Sequence, residues 1–301
     1  MKLRNCGAFF MKKIVLFILM LAFANTIFAQ RNDTQAGLYN IGLGAVTGGI
    51  GAMINKKPDE KLGRVLVKGL WQGAVGGYAI FESKRLSRLI YQENELGFAW
   101  PSKIVNAAGV SIVENAASNR DFWEKWHINY GFNRIELTVK DSVSVQYKIM
   151  PIAFGYTIGL AVQSKIELGK TLQSGQFIFS LSPERWGDTN VIALAYPGNI
   201  IYMDGLYNLN GYLSHEIIHI YQQNDFNGFN AYLNKPYAAL GNTSKFMKQV
   251  NKWVHYDTNH LMFMVAYNLQ NINRKYYYDN YFEHEAGYYS NTIEPYLLYN
   301  P

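Results

Sequence analysis

The chain has 301 residues, of which 49% are apolar and 17% charged, with 28 Lys and Arg against 22 Asp and Glu. That apolar share is ample for a buried core and excludes an intrinsically disordered chain. Four of the basic residues, Lys2, Arg4, Lys12 and Lys13, fall in the first thirty positions, so the remainder is nearly balanced at 24 against 22 and offers no clustered basic face for nucleic acid.

The first segment reads as an address. "MKKIVLFILMLAFANTIFAQ" joins two lysines to an apolar run from Ile14 to Phe23 and a small residue at Ala29, the pattern of a signal peptide over residues 1–29, with Met11 as a plausible start. Cys6 lies in that segment, so a mature chain would hold no thiol, and any metal would have to be held by His and carboxylate. An exported protein, periplasmic or associated with the cell envelope, is expected.

Residues 36–92 are rich in glycine. Gly44, Gly48 and Ala52 recur every four residues, as do Gly69, Gly73 and Gly77, which lines small residues along one face of a helix and lets two backbones approach closely. The segment predicts a helical hairpin turned at Lys57-Pro58-Asp59. Two uses are open: membrane contact through residues 36–81, or tight packing inside a water-soluble fold. Lys68 and Gln72 count against a full span by the second helix.

The middle of the chain begins with a helix at "PSKIVNAAGVSIVENAA" and turns to strand chemistry. "SVSVQYKIMPIAFGYTIGLAVQSKIEL" and "GQFIFSLS" are rich in Val, Ile, Phe and Tyr, and "VIALAYPGNIIYMD" reads as two strands joined at Pro197-Gly198-Asn199. A small, mostly antiparallel sheet over about residues 135–203 is expected. From Asp204 the pattern returns to helix, and the fold class is α+β.

The segment "GYLSHEIIHIYQQND" carries His215-Glu216-x-x-His219. Four residues apart on a helix, the two imidazoles project from one face and can share one metal ion, with Glu216 beside them. Paired helix histidines bonded to neighbouring backbone are the plainer alternative.

With strands before it and an acidic helix after it, this segment resembles the active-site helix of the zincin metallopeptidases. The metzincin branch is a poor match, because Gln222 and Asp225 stand where that branch has glycine and histidine. The gluzincin branch takes a glutamate from a later helix, and "YFEHEAGYY" is similar: aligning the family's alanine with Ala286 selects Glu283. The resemblance thus implies Zn2+ held by His215, His219 and Glu283, with Glu285 or Asp225 as less favoured third ligands. It implies Glu216 as general base toward a zinc-activated water, and a peptide or protein substrate. Residues 95–301 would form the zincin-like domain, with the site helix at about 210–224 and the third-ligand helix at about 276–290.

The resemblance also casts "NIIYMD" as the sheet edge that pairs with substrate, and His255, His260, His284 and Tyr288 as candidates to stabilise the oxyanion. Gly287 stands where the family often has an aspartate that orients a zinc-bound histidine, a role Asp204, Asp225 or Glu285 would have to fill. A catalytically inactive envelope protein, acting through its glycine-zipper hairpin, is the alternative that this departure leaves open.

Overall fold

A computed structural model describes residues 32–187, 191–272 and 274–293, so the leader reading of residues 1–29 falls outside the described residues. Helix α1 (Asp33–Asn55) begins where the Asn32 side chain accepts the Gln35 N–H, and Asp33 adds a negative charge to its first turn. After the turn at residues 57–59 the chain returns as α2 (Leu62–Leu86), the expected hairpin. A short helix α3 (Arg88–Gln92) leads to α4 (Ala99–Ala117), which packs across both arms.

The glycines are explained by this packing. A methyl group on Gly44 would stand 2.3 Å from the Gly73 carbonyl oxygen, and one on Gly73 would stand 2.1 Å from that of Gly44. Gly76 and Gly109 meet in the same way between α2 and α4, each 2.7 Å from the other's carbonyl oxygen. The glycine faces are therefore occupied by this chain's own helices. Among the described helices α1 alone is long and apolar enough to cross a membrane, and 44% of its most apolar stretch is buried in the protein.

Two sheets follow. Strands β1 (Lys125–Tyr130), β2 (Asn133–Thr138) and β3 (Ser144–Ile149) form an antiparallel meander, with Ile128 opposite Ile135. Helix α5 (Pro151–Gln163) then leads to β4 (Lys165–Ile166), α6 (Leu168–Ser174), β5 (Phe177–Leu181), the single turn α7 (Pro183–Trp186), β6 (Ala193–Tyr196) and β7 (Asn199–Met203). The second sheet has the order β4-β5-β7-β6, with β5 and β7 parallel and the other pairs antiparallel. The pairing is mostly antiparallel, as expected, with β5 and β7 the one parallel pair among the described strands; one expectation is corrected, since the strands divide between two sheets beginning at Lys125.

The stretch "PIAFGYTIGLAVQ", expected to have strand character, is the helix α5. Pro151 sits at its first position, and Asp257, more than a hundred residues away, accepts the Ile152 and Ala153 N–H groups at 3.1 and 2.9 Å. A tertiary cap thus satisfies the helix start and overrides the strand-favouring composition.

The second sheet is covered on both faces. Ile178 and Ile200 meet Leu213, Ile217 and Tyr221 of α8 (Leu209–Asp225), while Phe179 and Ile201 pack with Leu160 of α5. Beyond α8 come a 3-10 turn at Asn227–Leu233, then α9 (Asn234–Thr243), α10 (Lys245–Trp253), α11 (Asn259–Asn271) and α12 (Tyr281–Ser290). The expected third-ligand helix is shorter than residues 276–290, because Tyr277–Asp279 form a separate 3-10 turn and Asn280 caps α12 by accepting the Phe282 N–H.

Candidate metal centre

Helix α8 places His215, Glu216 and His219 against α12, which brings Glu283 across to them. All four are more than nine-tenths buried. His215 Nε2 lies 3.1 Å from His219 Nε2, and Glu283 Oε2 lies 3.2 Å from the first nitrogen and 3.3 Å from the second.

The hydrogen bonds behind the rings decide what these atoms offer. Gln222 Nε2 donates to the Phe282 carbonyl and to Glu285 Oε2 at 2.8 and 2.9 Å, which leaves Gln222 Oε1 as the acceptor for His219 Nδ1–H at 2.8 Å. The Ser290 hydroxyl donates to the Ala286 carbonyl at 2.7 Å, so Thr292 donates to Ser290 Oγ and accepts from His215 Nδ1–H at 3.1 Å. Both rings are therefore held in the tautomer that turns the Nε2 lone pair inward. With both rings neutral, two lone pairs and a carboxylate oxygen converge with no donor among them.

Such a set calls for a positive charge at its centre. Burial favours the neutral imidazole of His219, yet the Glu283 carboxylate and Glu216 push its pKa up to about 9, a proton here standing where a cation would. Burial also opposes charge on Glu283, but His219 and His215 hold that carboxyl well below its usual range. The other Glu283 oxygen accepts from the Tyr267 hydroxyl, and Tyr277 bonds the same carboxylate. Burial raises the Glu216 pKa above the ordinary glutamate value, opposed by both histidines and by the Ala195 N–H that Glu216 accepts from β6.

His215, His219 and Glu283 thus form a buried group that can hold a metal ion. The two other third-ligand candidates are corrected: Asp225 and Glu285 turn instead to Lys84 of α2, whose Nζ lies 2.7 Å from Asp225 Oδ2 and 3.0 Å from Glu285 Oε2. The orienting role expected of Asp204, Asp225 or Glu285 falls to Gln222 and Thr292, with Glu285 acting only through Gln222. No aspartate fits at Gly287, where a Cβ would come within 2.4 Å of Ile293 Cγ1.

The remaining candidates lie in different surroundings. His255 lies with Arg134, Glu114 and Glu136, and Tyr288 donates to Asp33 Oδ1 at 3.2 Å near the hairpin. His284 is buried in α12, and His260 packs edge-on against Tyr156 at 5.4 Å. Residues 199–203, expected at a sheet edge, are interior, and β6 is the edge strand nearest Glu216. Sequence reasoning missed Tyr267, Tyr277, Gln222 and Thr292. Gln222 alone had a local signal, one helical turn from His219 on the same face.

Comparison with protein-family models, with curated proteins and with solved structures finds no match.

Proposed function

We propose that the protein is an exported zinc-dependent metallopeptidase in which His215, His219 and Glu283 hold the ion and Glu216 is the general base. The observation that carries this reading is the convergence of three inward-facing lone pairs at separations of 3.1, 3.2 and 3.3 Å. Ligand atoms on a tetrahedral zinc at about 2.0–2.1 Å stand roughly 3.3–3.4 Å apart, so the set is close to one face of that tetrahedron. Two imidazoles and one carboxylate leave a fourth position for water and substrate, and zinc there would activate the water and polarise the scissile carbonyl.

The chain's own residues supply the rest. Glu216 stands next to His215 on the same helix, and burial raises its affinity for the proton it must accept from water and return to the leaving amine. Gln222 and Thr292 keep both rings in the ligating tautomer. The free edge of β6 offers backbone groups to an extended peptide beside Glu216. Export rests on the leader-like residues 1–29. The exposed Leu38, Val67 and Trp71 give the hairpin an apolar outer surface suited to lying against a bilayer.

Metal analysis of the purified protein tests the reading. One zinc per chain is expected, lost in His219→Ala. Glu216→Gln should keep the zinc and lower peptide hydrolysis by about 10²–10⁴-fold, the usual range for a lost general base. A protein without stoichiometric zinc, or zinc content unchanged by His219→Ala, overturns it.

A further inference from the structure

Lys103 of α4 is 5% exposed, and among the described residues its ammonium makes no hydrogen bond or ion pair. Its stem runs past Gly175, where a Cβ would come within 2.8 Å of Lys103 Cδ, and leads to a cavity of about 40 Å³. That cavity lies between α8, β1 and the Pro197-Gly198 turn, and its wall contains none of the metal-binding residues. Gln223 Nε2 and Asn129 Oδ1, both from lining residues, are buried without partners. A native interior seldom leaves a cation beside a cavity, and an amide N–H and an amide oxygen of the residues that wall it, all unanswered.

The geometry points to a small monovalent anion, in the size range of a halide or formate, bound between Lys103 Nζ and Gln223 Nε2. Room for a water takes about 10–15 Å³ of such space, so the cavity has the volume of about three waters or of one such ion with a water. The other titratable groups facing it leave the ammonium as the charge to be met. Asp257 lines the cavity, but its oxygens accept the Ile152 and Ala153 N–H groups at the start of α5. His127, beside Lys103 in a smaller adjoining cavity, is held neutral by burial, its pKa lowered to about 3. Burial alone brings the Lys103 pKa down to about 7. An anion alongside favours the charged amine, so binding takes up a proton and is tighter below pH 7 than above it.

The test is thermal unfolding of the purified protein in sodium bromide against sodium gluconate at constant ionic strength, at pH 6 and at pH 8.5. The expected result is a saturable rise of about 5 °C by 100 times the dissociation constant at pH 6, and a smaller one at pH 8.5. Lys103→Met should abolish the response. Asn129→Asp, which supplies a built-in counter-ion, should abolish it while leaving the fold intact. Crystals soaked in bromide should show its anomalous signal in this cavity. Equal responses in wild type and both variants, or bromide only elsewhere with water in the cavity, would overturn the assignment.

Discussion

Two of the buried charged clusters differ in how their charge is met. Around Arg134, Nε donates to Glu136 Oε1 and an Nη donates to Glu114 Oε2, both at 2.7 Å, while Lys125 and Lys148 flank Glu136 at 2.6 and 3.3 Å. Every carboxylate there faces a cation, and although burial opposes ionisation, Arg134 holds both acids well below their usual range. Around Glu283 the neighbouring groups are two tyrosine hydroxyls and two imidazoles, the rings fixed from behind and holding no permanent charge. The first cluster meets the charge of its carboxylates from within and serves the fold. The second can take a cation at its centre.

Breaking the first cluster should have the largest effect. Arg134→Met leaves Glu114 and Glu136 facing the remaining cations from buried positions, and removing one partner of a buried ionic set costs about 3–5 kcal/mol. Denaturant unfolding measures this. Metal content per folded chain should not change, because the Arg134 cluster and the metal group share no residue. A loss below about 1 kcal/mol would show that the cluster's internal pairing contributes little and would remove the contrast.

The metal group should answer differently to loss of its support. Gln222→Ala removes the acceptor that fixes the His219 ring and one of the donors to Glu285 Oε2, which keeps its pairing with Lys84. Mutating such a partner commonly costs 10–100-fold in metal affinity, so zinc titration should show that weakening with a fold that still melts cooperatively. Unchanged affinity would mean that the ring is positioned by packing alone.

How much of this was legible in the sequence follows from the range of the interactions. The pairing of His215 with His219 is local, set by the helical period, and could be read directly. Glu283 could be singled out only through the resemblance, since nothing local ties it to a residue 64 positions before it. Gln222 was visible as a departure from one family pattern, but its role depends on the Phe282 carbonyl and Glu285 across the core. Lys84 shows the same limit. It belongs to the glycine-rich hairpin in sequence, yet its ammonium bonds Asp225 and Glu285, which therefore face Lys84 and not the candidate metal group. Helix α5 was misread because its outward side carries Phe154, Ile158 and Val162, so apolar residues mark no single face, and its cap arrives from Asp257. The sheet edge was misplaced because strand order is a property of topology: β7 pairs with β5 and β6 on its two sides, and neither strand's composition says which is outermost.

Lys103 is a further case, a buried charge with no partner among the described residues, and its smaller effect can be isolated by pH. With no anion present its folded pKa is about 7, lowered by burial from an ordinary 10.5. Between those two values the unfolded chain carries a proton on this amine that the folded chain lacks, so the residue makes stability rise with pH across that window. Below pH 7 both states are protonated and the full desolvation cost is present; above pH 10.5 neither is, and the cost is gone. Lys103→Met removes this dependence. Measured in gluconate, the variant's advantage over wild type should be greatest below pH 7. It should shrink by about 1 kcal/mol between pH 7.5 and 8.5, near the limit of 1.36 kcal/mol per unit for a single proton. The difference between the two proteins cancels other groups that titrate there, including the buried Asp225, so a flat difference across that interval would mean that the Lys103 charge is already answered within the fold.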